Sequence, residues 1–207
     1  MDIETIPAPE EEVEKVKYLY EKMKAKRAKR NGYEDDPDKY SFADYLKNTG
    51  FDGAFGRIIC IAYAIDDAEV KVISHPDNEK LMLKEFWEIA KNIECFVGYN
   101  LMDFDMRFIW QRSVKLKVQP TIDLNFARYR NTPMYDVMKE WSKWGSQKDP
   151  GLETVALALG LESPKSGIDG SMVWDFFKAG KIDEICEYCK RDVDTTREIY
   201  YRMTFRK

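Results

Sequence analysis

Asp2-Ile3-Glu4 places two carboxylates at positions i and i+2. In an extended segment such side chains point to the same face. Two acidic groups on one face repel each other unless a cation sits between them, so the triplet is a candidate metal platform. The chain holds 37 Asp and Glu, so acid-x-acid triplets also arise by chance. This one gains meaning from two later stretches. In the first, Asn100 and Asp105 bracket Leu101-Met102-Asp103-Phe104, where an apolar run passes into a helical pattern. Sites in open α/β sheets lie outside the carboxyl ends of the strands. Asp105 falls past the cap position that Asn100 or Asp103 would fill. In the second, Tyr188 and Asp192 stand four apart on a helical stretch and share a face. By itself that spacing also suits a plain surface pair.

The elements that must position these groups follow from periodicity. Residues 1–6 read as a short strand, closed by Pro7 and Pro9. Residues 10–30 read as one helix, with Val13, Val16, Leu19, Tyr20 and Met23 as its apolar stripe. Acids load its start and bases its end, which complements the helix dipole; the bases would also suit an arm along a nucleic-acid backbone. A turn-rich break at 31–37 and a second helix at 39–47 follow. Residues 8–50 therefore read as a helical insertion in one domain spanning 1–207. Residues 55–65 carry a near-continuous apolar run, as a strand covered on both faces would. Asp66-Asp67 turns the chain into a strand at 70–74. A helix at 78–92, a strand at 95–99, a helix at 104–112 and a strand at 120–124 come next. Helices are expected at 134–144, 152–159, 172–179 and 182–203. An antiparallel hairpin followed by alternating strands and helices predicts an α/β fold with a mixed sheet.

Composition sets bounds. The 207 residues are 44% hydrophobic, enough for a sizeable core. No run reaches the ~18 apolar residues of a membrane span. The acidic start lacks a signal peptide's apolar segment, so the expected location is the cytoplasm, or the nucleoid for a DNA substrate. Four cysteines form no convincing disulfide framework and read as free thiols. A net charge of −4 argues against sequence-blind coating of nucleic acid. It leaves room for an enzyme that meets a phosphodiester through metal ions.

Asp2-Ile3-Glu4, then Gly98-Tyr99-Asn100 with Phe104-Asp105, then Tyr188-Cys189 with Asp192, resemble the three motifs of the DEDD superfamily of 3′–5′ exonucleases. The tyrosine in the third motif resembles the tyrosine subtype. The whole is similar to the proofreading domain of family B DNA polymerases, in a stand-alone form with no polymerase domain alongside. The only histidine, His75, lies far from the third motif, which excludes the histidine subtype. The resemblance covers nearly the whole chain, residues 8–50 least. It implies a ribonuclease-H-like fold with a five-stranded mixed sheet flanked by helices. It implies that Asp2, Glu4, Asp105 and Asp192 hold two divalent ions, Mg²⁺ with Mn²⁺ as a substitute. It also implies that Tyr188 orients the attacking water, and that Asn100 and Phe104 contact the substrate. The substrate would be single-stranded nucleic acid, DNA ahead of RNA, shortened from the 3′ end to nucleoside 5′-monophosphates. With Met1 directly before Asp2, the first strand is expected to be short, its charged amine close to the metal site.

Other groups weigh less. Cys186 and Cys189 have CxxC spacing but fall inside a helix with no histidine near. Asp123 is either a neighbour of the metals or a cap. Tyr63, Tyr99 and Phe104 suit base stacking or the core. Lys190 and Arg191 suit phosphate contact or a solvated face, and Asp194 should point away from Asp192. Two rivals remain: an exonuclease of the same superfamily that trims RNA, separated from the first by contacts to the 2′-hydroxyl, and a binding module that kept the fold and lost turnover.

Overall fold

β2 (Arg57–Tyr63) is the strand around which the computed structural model is built; residues 1–31, 41–145, 148–165 and 167–206 are described. Its Ile58, Ile59, Cys60, Ile61 and Ala62 are all fully buried, because helices cover both faces. β1 (Asp2–Ile6) and β3 (Lys71–Ile73) flank it antiparallel. Cys60 pairs with Glu4 and Ile58 with Thr5, so Ile59 is the extra residue of a bulge. The bulge turns both Ile59 and Cys60 toward one layer, while Ile58 and Ile61 face the other.

The first layer is α3 (Glu79–Ala90) and α4 (Asp105–Leu116), whose Met82, Leu83, Phe86, Trp87, Met106, Phe108 and Ile109 pack with Ile3, Ile58 and Ile61. A buried ion pair ties these helices together: the Arg112 guanidinium donates to Glu79 at 2.8 and 2.6 Å, and Glu79 also accepts the Ile58 N–H. The second layer is α7 (Val173–Lys178) and α8 (Ile182–Met203), with Val173, Ile185, Cys189 and Val193 against Ile6, Ile59 and Ala62. β4 (Phe96–Gly98) pairs in parallel with β5 (Met134–Asp136), which leads into α5 (Val137–Trp141); α6 (Leu152–Ala158) packs against α8. α1 (Val13–Asn31) and α2 (Phe42–Asn48) pack on each other through Tyr20, Phe42 and Tyr45. Of α1's expected stripe, Val16 and Tyr20 are buried and Leu19 is exposed. The expected break at 31–37 and the start of the second helix lie mostly outside the described residues.

Two expectations need correction. Among the described residues, the single mixed sheet of five strands is found as a three-stranded antiparallel sheet and a two-stranded parallel sheet. β1 reaches toward β4 through the Met1 ammonium, which donates to the Val97 carbonyl at 2.7 Å. The strand expected at 120–124 has no ladder, and the partner of β4 is β5, placed in a helix by the sequence reading. Ile122, Leu124 and Phe126 do alternate inward against the core, but alternation without a free strand edge makes no strand. At three residues β5 is too short to show a period of its own. Among the described residues no helix is long and apolar enough to cross a membrane.

Candidate active site

β1 alternates, so Asp2 and Glu4 share the face turned to α8 while Ile3 packs into the opposite layer. Glu4 is buried and Asp2 half-buried. Asp105 opens α4 and is buried, its Oδ1 accepting the Ile3 N–H at 3.0 Å. The third motif arrives on α8, where Tyr188 and Asp192 lie one turn apart and are both buried. Tyr188 lies beside Asp192, whose Oδ1 is buried with no hydrogen-bond partner.

The loop that delivers Asp105 is shaped by a residue the sequence reading overlooked. Asp136, at the end of β5, is 1% exposed. Its carboxylate accepts the N–H groups of Asn100 at 3.1 Å and Met102 at 3.0 Å and caps α5 through Lys139 N–H. This fixes Asn100 in the left-handed region at φ 60°, which Asn tolerates better than most residues. Phe104, not Asn100 or Asp103, occupies the cap position of α4, with no side-chain cap bond. Asp103 is exposed and ion-pairs with Arg107 and Lys139.

The four carboxylates feel each other. Burial, then Asp105 and Asp192, push Asp2 well above the usual carboxylate range. Burial, then Asp2, Asp192 and Asp105, do the same to Glu4. Burial raises Asp105 to about 7, opposed by the Met1 amine and by backbone N–H bonds. Burial raises Asp192 to about 6, opposed by the Tyr188 hydroxyl and by Arg191 and Lys165. Burial, Asp192 and Glu4 push the Tyr188 phenol well above its ordinary value, so it stays protonated at any working pH. Clustered, desolvated oxygens with one orphaned lone-pair donor fit a hard divalent cation. Among the described residues, Asp2 and Glu4 bring ligand oxygens close together, while Asp105 and Asp192 act on them through their charge. The Cys189 thiol donates to Asp2 Oδ2 at 3.2 Å, and its sulfur joins oxygens of Asp2 and Glu4 within 4.8 Å of one another. The sequence offers Cys189 only as half of a CxxC spacing inside a helix, and that spacing does not point to Asp2.

Other candidates fall away. Asp123 is exposed on an irregular segment. Tyr99 bonds the Pro150 carbonyl and packs near α6, and Tyr63 packs against the first layer. Lys190 pairs with Glu187, and Asp194 with Arg197 on the exposed side. Arg191 lies over the Tyr188 ring and donates to the Pro164 carbonyl. A cavity of about 470 Å³ opens at the head of β1, lined by residues such as Met1, Tyr63, Phe96, Arg197 and Tyr200. It contains none of the four carboxylates, which are picked out by charge and burial, not by concavity.

Residues 44–207 match the family described as a predicted 3′–5′ exonuclease related to the exonuclease domain of PolB. The chain belongs to this family. Within the PolB-exonuclease-related match lie Asn100, Phe104, Asp105, Tyr188 and Asp192; β1, with Asp2 and Glu4, precedes it. An uncharacterized protein of Methanocaldococcus jannaschii is 27% identical over 168 residues, covering 75% of this chain and 90% of that protein.

Proposed function

We propose that the chain is a metal-dependent 3′–5′ exonuclease of the tyrosine subtype, with a ribonuclease-H-like fold over residues 1–207 and a helical insertion at about 8–50. It shortens single-stranded nucleic acid, DNA ahead of RNA, to nucleoside 5′-monophosphates. The observation that supports this reading most is the electrostatic clustering of Asp2, Glu4, Asp105 and Asp192 from three separate elements, with Tyr188 beside one of them. Two Mg²⁺ or Mn²⁺ ions held there would supply an activated water and stabilise the leaving oxygen. The residues do the rest. Asp105 fastens α4 to β1 through Ile3 and so fixes the spacing of the motifs. Tyr188, kept as a neutral phenol, orients the attacking water by a hydrogen bond and does not act as a base. Asn100 and Phe104, at the mouth of the same loop, hold the sugar and base of the 3′ end.

Tyr188→Phe removes only that hydroxyl. Turnover is expected to fall on the order of 100-fold with KM little changed, and the digest of wild type should contain nucleoside 5′-monophosphates. A variant as fast as wild type, or 3′-monophosphate products, contradicts the assignment.

A further inference from the structure

α1 gathers bases on one side. Lys15, Lys22, Lys26 and Lys29 recur at steps of seven, four and three residues, which brings them to one face of a helix. All four are exposed. That face is turned away from Val16 and Tyr20, the buried residues through which α1 is seated. Tyr18 stands in the same row, 62% exposed, with Lys22 Nζ 5.4 Å over its ring. Lys15 pairs with Glu12 at 3.1 Å. Among the described residues no carboxylate pairs with Lys22, Lys26 or Lys29, and Glu14 and Glu21 fall on the flank of the row. The root of the helix is fixed. The Ala8 N–H donates to Thr49 Oγ1 at 2.8 Å and Thr5 Oγ1 donates to the Gly50 carbonyl at 2.6 Å, so the chain entering α1 and the chain leaving α2 are fastened together where β1 ends. Glu12, just before α1, also pairs with Lys115 in the last turn of α4 at 3.2 Å. The 19 residues of α1 then reach about 28 Å from this root. The family match begins at residue 44, so α1 lies ahead of the matched part.

We infer that this face of α1 is a backbone-tracking arm, whose Lys22, Lys26 and Lys29 take phosphates of the nucleic-acid strand on the 5′ side of the end being trimmed. The inference rests on the exonuclease reading, and charge complementarity carries it. The chain has a net charge of −4 and its candidate site is a cluster of acids, so neither draws in a polyanion. A row of ammonium groups without acid partners, on a stiff and rooted helix, does. Lysine meets phosphate as a point charge, and phosphate contacts set the path of a strand without reading its bases. The arm therefore strengthens binding of long substrates of any sequence.

The test is binding of single-stranded DNA across a range of salt, with Ca²⁺ in place of Mg²⁺ and the oligonucleotide checked for intactness. The variant is Lys22→Gln/Lys26→Gln/Lys29→Gln, since glutamine keeps the helix propensity of lysine. On an oligonucleotide of about 30 nucleotides, the slope of log affinity against log salt should be shallower than wild type by about 2, with affinity at low salt about 10-fold weaker. On an oligonucleotide of about 4 nucleotides, too short to leave the site and reach the arm, the two should bind alike. Removing the same charge from exposed lysines of β3 and α3, by Lys71→Gln/Lys80→Gln/Lys84→Gln, should keep the wild-type slope. Equal slopes for wild type and the α1 variant on the long oligonucleotide overturn the inference. So does an equal loss on the short one, or an equal loss in the β3 and α3 variant, which would mark an effect of net charge alone. Wild type that cleaves nothing with Mg²⁺ or Mn²⁺ fails the exonuclease reading separately, because the binding measurement needs no cleavage.

Discussion

Asp192→Asn is expected to lower nuclease turnover by roughly 1,000-fold or more, since it takes a carboxylate from a metal-holding set whose charge stabilisation is worth several kcal/mol. The same change should raise the Tm of the metal-free protein by a few degrees. Asp192 adds to the repulsion that pushes Asp2 and Glu4 up, and its Oδ1 is buried without a partner. Relieving a buried like-charge contact is worth on the order of 1 kcal/mol, or about 2–4 °C for a domain of this size. Opposite signs on activity and stability separate a metal-holding residue from a structural one, which would lose both. Asp2→Ala should follow the same pattern, with intact far-UV and near-UV circular dichroism. An Asp192→Asn protein as active as wild type removes Asp192 from the site.

The second large effect is a coupling of pH, metal and stability. Asp105 at about 7 and Asp192 at about 6 both lie above their unfolded value of 3.8, and Asp2 and Glu4 are raised with them. Between about pH 4 and pH 7 the folded, metal-free protein therefore binds more protons than the unfolded chain, and stability falls as pH rises through that window. The Met1 amine, lowered from 8.0 by burial, and the Cys186 thiol, lowered to about 7, work in the opposite direction near the top of the window, against the four carboxylates and Asp136, which burial also raises. Carboxylates lowered by surface ion pairs, such as Asp149, act only at more acid pH. In EDTA the Tm should be higher at pH 5.5 than at pH 8 by about 5 °C or more. Saturating Mn²⁺ should erase most of that difference, because ligand bound only to the native state stabilises it. A metal-free protein that gains stability from pH 5.5 to pH 8 contradicts the electrostatics of the cluster.

Much of this was legible in the residues. Asp2 and Glu4 could be placed on one face because strand alternation is local, and Tyr188 with Asp192 because helical spacing is. β2 was legible for a tertiary reason that leaves a sequence trace: a strand covered on both faces is apolar throughout. What was missed depends on contacts between distant segments. Asp136 lies 36 residues from Asn100 along the chain, and nothing in Met134-Tyr135-Asp136 announces that its carboxylate will shape the Asn100 loop. Cys189 meets Asp2 across 187 residues. The strand expected at 120–124 shows the converse, a correct inward alternation at a place where β5 already holds the edge of β4.

The most direct measurement is digestion of a 5′-labelled single-stranded DNA, beside the matching RNA, with Mg²⁺, with Mn²⁺ and with EDTA. The account predicts a ladder shortening from the 3′ end with either metal, none with EDTA, and faster loss of the DNA. Faster loss of the RNA would keep the chemistry and reverse the substrate. Undiminished full-length DNA and RNA in both metals, from a protein that still binds the oligonucleotides, would contradict the account in favour of a binding module.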